Sequence, residues 1–158
     1  MEISSRLDFE ADPKTTYLML TDKGWLEQLV SRSEATSHSI DIAGQTTRVE
    51  MTLPAPGEMA RFVGSALKLN QVVTWGDPAA DDSREGSLTI EVPGMPVKMD
   101  GTARLYPGGK GTIVDYQGEL KVSIPLMGKK IEQQAAPYVK DAIDAQQEVG
   151  DEWLISHR

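Results

Sequence analysis

Cysteine is absent from this 158-residue chain, and histidine occurs only twice. Without cysteine there is no disulfide and no thiolate chemistry, which fits a cytoplasmic setting. A zinc centre needs three or four ligands at workable spacing, and His38 and His157 supply no such cluster. No metal and no cofactor is expected. Basic charge is scarce too: 16 Lys and Arg face 24 Asp and Glu, for a net charge of −8. A duplex-binding surface displaces counterions with clustered cations, and Lys129–Lys130 is the only basic doublet. Nucleic acid is therefore excluded as an expected partner, and stable residence on anionic membranes is disfavoured. No apolar run approaches the roughly 18 residues of a spanning helix. The opening stretch MEISSRLDFE lacks the basic-then-apolar order of a secretory signal. A phosphate-binding glycine loop is missing as well, because GGKGT at 108–112 falls in a turn between two strands rather than before a helix.

What is present is a two-residue rhythm. Hydrophobic residues make up 39% and charged residues 25% of the chain, enough apolar material for one soluble domain spanning 1–158. In VDYQGELKVSI, Val114, Tyr116, Gly118, Leu120, Val122 and Ile124 alternate with polar residues, the signature of a strand with one buried face. Ile3, Leu7 and Phe9 alternate likewise in the first segment. Asp12 followed by Pro13 reads as a helix N-cap and first helical position, and WLEQLVSR reads as a second short helix. HSIDIAG and TTRVEMTLP form a hairpin around Gly44, with His38, Ile40, Ile42 and Thr47, Val49, Met51, Leu53 on the inward phase. ALKLNQVVTW places Leu67, Leu69, Gln71, Val73 and Trp75 on one side, and SLTIEVPG and PVKMDGTARLYPGG add Leu88, Ile90, Val92 and Val97, Met99, Gly101, Ala103, Leu105.

The tail changes period. From about Pro125 to Leu154, Met127, Ile131, Ala135, Tyr138, Ala142, Val149 and Trp153 recur at helical spacing and define one expected apolar stripe, interrupted by Pro137. The order is thus one strand, two short helices, six strands and one long helix. Short connections make the sheet antiparallel. Its apolar face needs a cover, and the terminal helix is the only large partner. An α+β fold follows, in which a curved seven-stranded antiparallel sheet wraps the long C-terminal helix. Gly101 and Gly118 on the inward phase suit that curvature.

The element order resembles the helix-grip fold of the START-like (SRPBCC) superfamily, which includes the pollen-allergen and polyketide-cyclase families. The segments VPGMPV, GTARLYPGGKGT and VSIPLMGKKIE within 92–132, with TLPAPGEMARFVGSALKLNQVVTW and the late EWL, are similar to an uncharacterised, mainly actinobacterial family of that superfamily. The resemblance implies an apolar cavity between sheet and helix. Members of the superfamily hold lipids, sterols, aromatic polyketides or hormones there, and a few are enzymes.

The candidate ligand-binding residues are Met51, Phe62, Gln71, Trp75, Met99, Tyr116, Leu120, Ile131 and Tyr138. Met51 and Met99 adapt to irregular guests. Gln71 is an amide among apolar neighbours, and a buried amide must find partners. Tyr116 and Tyr138 combine an apolar ring with a hydroxyl. Met59 and Phe62, in the Pro- and Gly-flanked segment 54–64, suit a lid. Burying about 300–400 Å² of an apolar guest is worth on the order of 8–10 kcal/mol before the costs of binding. The expected function is binding of a hydrophobic small molecule, lipid-like or aromatic. The alternatives are a cyclase/aromatase- or hydrolase-like enzyme using Gln71, Tyr116, Tyr138 or His38, and a cavity-free interaction module. No catalytic residue is assigned, and nothing in the motifs specifies the guest or the oligomeric state.

Overall fold

The computed structural model describes residues 1–55, 57 and 60–157, with the side chains of Phe62 and Val63 outside that description. The elements are β1 (Glu2–Phe9), α1 (Pro13–Leu20), α2 (Lys23–Arg32), β2 (Ser37–Ala43), β3 (Thr46–Pro54), α3 (Ala60–Val63), β4 (Ala66–Trp75), β5 (Arg84–Glu91), β6 (Val97–Gly108), β7 (Gly111–Val122) and α4 (Gly128–Ser156). The strands form a single antiparallel sheet in the order β1-β7-β6-β5-β4-β3-β2. The α+β helix-grip architecture is the expected one.

Local chemistry accounts for the boundaries. Asp12 caps α1 by accepting from the Thr15 amide at 2.8 Å, with Pro13 at the first position. Asp22 caps α2 by accepting from the Trp25 amide at 3.1 Å. Each cap satisfies a helix amide that has no intrahelical partner. Gly44 at the β2–β3 turn and Gly109 at the β6–β7 turn have positive φ, which tight hairpins demand. Gly101 and Gly118 face each other across β6 and β7. A methyl group on Gly101 would lie 2.6 Å from the Gln117 carbonyl, so the backbones meet there at a distance no side chain permits.

The two ends of the sheet are treated differently. At the β1 edge, α4 acts as a surrogate strand. The Gln147 amide accepts from Asp8 N at 2.8 Å and donates to Asp8 O at 2.7 Å, while Ser5 donates to Asp144. The N-cap position of α4, Met127, has no side-chain capping bond, but Glu132 in the second turn accepts from the Val122 amide and ties the helix to the end of β7. α1 and α2 close the end of the grip where β1 finishes. Tyr17 of α1 meets Trp75 edge-on at 6.4 Å, and Arg84 lies 3.6 Å over the Tyr17 ring. The core runs through this closed end, with Phe9, Leu105 and Val114 fully enclosed.

The stripe expected along the tail needs correction. α4 runs unbroken through Pro137, but its buried residues are Gly128, Ile131, Ala135, Ile143, Gln146, Val149, Gly150 and Leu154. Tyr138 and Ala142 are exposed. The buried face is rotated toward β1 relative to the apolar residues, because Asp144 and Gln147 anchor the helix to that strand. Hydrophobicity ranks Gln146 and Gly150 poorly, yet one carries an internal hydrogen bond and the other admits the Phe9 ring.

Candidate functional site

The strand registers define the inner face of the grip. One row of directly opposed residues crosses most of the sheet: Ile40, Val49, Gln71, Ile90, Met99 and Leu120. Residues opposed in an antiparallel pair share a face, so Gln71 sits among apolar neighbours on the helix side. Met51 and Leu69 oppose each other in the adjacent row, and Leu53 and Leu67 in the next.

Burial along this face is uneven. Met99 is 1% exposed and Leu120 3%, with Ile131 of α4 equally enclosed. Along β4, Val73 and Trp75 are buried, whereas Leu67, Leu69 and Gln71 are only half-buried. Met51, Leu53, Ile40 and Ile90 are half-buried as well, and Ile42 is half-buried on the edge strand at the opposite end. The inner face is therefore sealed near α1 and α2 and loosely covered toward the β3–β4 connection. That connection is an excursion whose ends are joined by a hydrogen bond from Ala55 N to Ser65 O at 3.1 Å. It carries α3. Met59 lies outside the described residues, as does the side chain of Phe62.

Polar groups on this face are few and sorted. Tyr116 donates to Gln146 Oε1 at 3.0 Å inside the core. Burial pushes the Tyr116 phenol far above its ordinary range, with the Gln146 bond pulling weakly the other way, so it stays neutral. Its hydroxyl holds α4 to β7. Gln71, by contrast, has no side-chain hydrogen bond among the described residues. Gln134 Oε1 is buried and also unpartnered among them, as are Thr16 Oγ1 and Trp25 Nε1 at the closed end. Sequence reasoning missed Gln134 and Gln146, since a polar residue on a helix otherwise reads as a solvated position. Arg84 is the one formally charged residue on the inward phase of the sheet, and it is committed to Tyr17 and to the Gly76 carbonyl at 2.8 Å.

Two of the residues singled out in the sequence are exposed. Tyr138 is 44% exposed, at the edge of the buried face of α4 and on the same flank as Gln134. His38 opposes Met51 on the inward phase, but β2 is the edge strand and the imidazole is exposed. Trp75 is buried at the closed end against Tyr17, remote in register from Met51 and Gln71.

Outside the grip, a concavity of about 520 Å³ lies at the β5–β6 turn, lined by Val92, Pro93, Met95, Val97, Lys98 and Lys121 among others, and one of about 390 Å³ lies beside Arg84 and Arg104. Neither includes a candidate ligand residue. On the outer face, Arg6 holds Asp115 at 2.7 Å and Tyr106 donates to it at 2.7 Å, so the Arg6 guanidinium keeps the Asp115 carboxyl below its ordinary range. Among the described residues no three His, Asp or Glu side chains come together as a metal site, and no helix is long and apolar enough to cross a membrane.

The chain was compared with known proteins. No curated protein sequence matches it. Its fold is similar to that of TTHA0849 from Thermus thermophilus, with a TM-score of 0.66 at 18% identity over 100% of both chains. A STAR-related lipid transfer protein fragment from Xanthomonas axonopodis gives a TM-score of 0.56 at 18% identity, covering 92% of this chain and 81% of that one. A START superfamily protein from Mycobacterium smegmatis gives 0.56 at 12% identity, covering 93% and 94%. At such identities the likeness is one of fold. The sequence itself matches a family model over residues 4–154. The chain has the START-like fold and belongs to the family described as protein of unknown function (DUF2505).

Proposed function

We propose that this protein binds a hydrophobic small molecule, lipid-like or aromatic, between the inner face of β2–β5 and α4. The observation that carries the reading is the burial gradient along β4, from enclosed Val73 and Trp75 to half-buried Leu67, Leu69 and Gln71. A core that merely needed filling would bury this apolar face throughout, because each half-exposed leucine forfeits part of its transfer free energy. In this reading Met51 and Gln71 line the guest, Tyr138 stands at its rim, and the enclosed side chains of Met99, Leu120 and Ile131 back the site from β6, β7 and α4; Phe62 is assigned to it on the sequence alone. Trp75 and Tyr116 support the site from the closed end. The lipid-transfer name carried by one structural neighbour agrees with this class of guest.

The test is native mass spectrometry of freshly purified protein, followed by titration of the delipidated chain with the neutral dye Nile red. A co-purifying apolar molecule, or saturable dye binding that weakens in Leu69→Asp, is the expected result. Absence of both would refute the reading.

A further inference from the structure

Resting on that reading, we infer that the guest is uncharged and carries a hydroxyl group, which Gln71 and Gln134 receive. The first ground is the charge inventory of the grip. Across all seven strands, the inward phase contains one formally charged side chain, Arg84. Its guanidinium is already stacked on Tyr17 and bonded to Gly76. The other titratable side chain on that phase within the mouth-side half, His38, is exposed at the edge. A carboxylate or phosphate drawn onto the sheet face would lose its hydration and meet no free counter-charge from the strands, a cost that works against apolar burial. Anionic amphiphiles are therefore disfavoured unless their heads remain outside.

The second ground is the pair of unspent amides. Gln71 is half-buried at the centre of the apolar row and unbonded among the described residues. Gln134 Oε1 is buried and lacks a donor among them. At 100° per residue, Gln134 and Gln147 lie on opposite flanks of the buried stripe of α4. Gln147 holds β1, one end of the sheet. The Gln134 flank is thus turned toward the other half, the half that is loosely covered. Natural interiors rarely leave a buried amide unpaired, since the orphan group costs about 1–3 kcal/mol. An amide can also turn over to present either end. A hydroxyl has one proton and two acceptor lone pairs, so it can donate to Gln134 Oε1 while accepting from the Gln71 amide N–H, and no purely apolar guest does either.

The experiment uses the delipidated full chain and three probes of equal length: dodecane, 1-dodecanol and dodecanoate at pH about 8, where the acid is ionised. Displacement of Nile red reports affinity. Dodecanol is expected to bind at least about tenfold tighter than dodecanoate. Gln71→Leu and Gln134→Leu should each weaken dodecanol about fivefold or more while leaving dodecane unchanged or improved. Circular dichroism confirms folding, and Gln71→Met or Gln134→Met replaces the leucine variant at that position if it fails to fold. Dodecanoate binding as tightly as dodecanol would overturn the inference while leaving the grip a binding site, as would unchanged dodecanol affinity in both variants. Refusal of the dye and of all three probes would instead overturn the underlying function.

Discussion

Removing the Tyr116 hydroxyl separates a structural role from a ligand-binding one. The phenol donates to Gln146 Oε1 at 3.0 Å, and both residues are less than a tenth exposed. Tyr116→Phe keeps the ring and its packing but leaves the Gln146 carbonyl buried without a donor. The cost of such an orphan is about 1–3 kcal/mol. For a chain of this length each kcal/mol shifts Tm by about 2–4 °C. Gln146→Leu orphans the hydroxyl instead and should cost a similar amount. The double variant removes both ends, so it should be less destabilised than the sum of the two singles by about 1 kcal/mol or more. Urea unfolding followed by circular dichroism measures all four proteins, with an unchanged m-value showing that the unfolded states are comparable. Nile red affinity should stay the same in Tyr116→Phe, because the hydroxyl is spent within the protein. A Tyr116→Phe variant within about 0.3 kcal/mol of the parent, or strict additivity in the double variant, would refute the reasoning.

Gly150 gives a second check on the packing of α4. In an open helix, glycine to alanine gains about 1 kcal/mol, but here the new methyl would press on the Phe9 ring and come within 3.1 Å of Met19 Cε. Gly150→Ala should therefore destabilise by about 1–3 kcal/mol in the same urea assay, and a stabilised variant would contradict this geometry. Stability should also fall in acid. The Arg6 guanidinium lowers the Asp115 carboxyl, and the Val122 amide lowers that of Glu132. Depressed folded-state values mean that this stability is present above the unfolded values near about pH 4 and lost as pH drops through the folded ones. Thermal melts should be flat above about pH 5 and decline below it, less steeply in Glu132→Gln; a Tm that rises on acidification would contradict the assignment.

Strand phases, hairpins and the Asp12 cap are legible in the sequence because each is set by neighbours in the chain, whereas the Asp22 cap of α2 was not read there. Alternation in β7 and β4 needs only a two-residue period, and Asp12–Pro13 needs only the three residues that follow it. From these the element order follows, and with it the α+β helix-grip class. The orientation of α4 was not legible. Tyr138 fits the apolar period and is exposed, while Gln146 and Gly150 break the period and are buried. That choice was made by Gln147 and Asp144 binding β1, residues 139 positions away in the chain. Exposure of His38 was likewise decided by strand order, since an inward phase gives no cover at a sheet edge. Hydrophobic period is a property of local geometry, but the direction in which a helix rolls onto a sheet depends on which distant partners satisfy its polar groups.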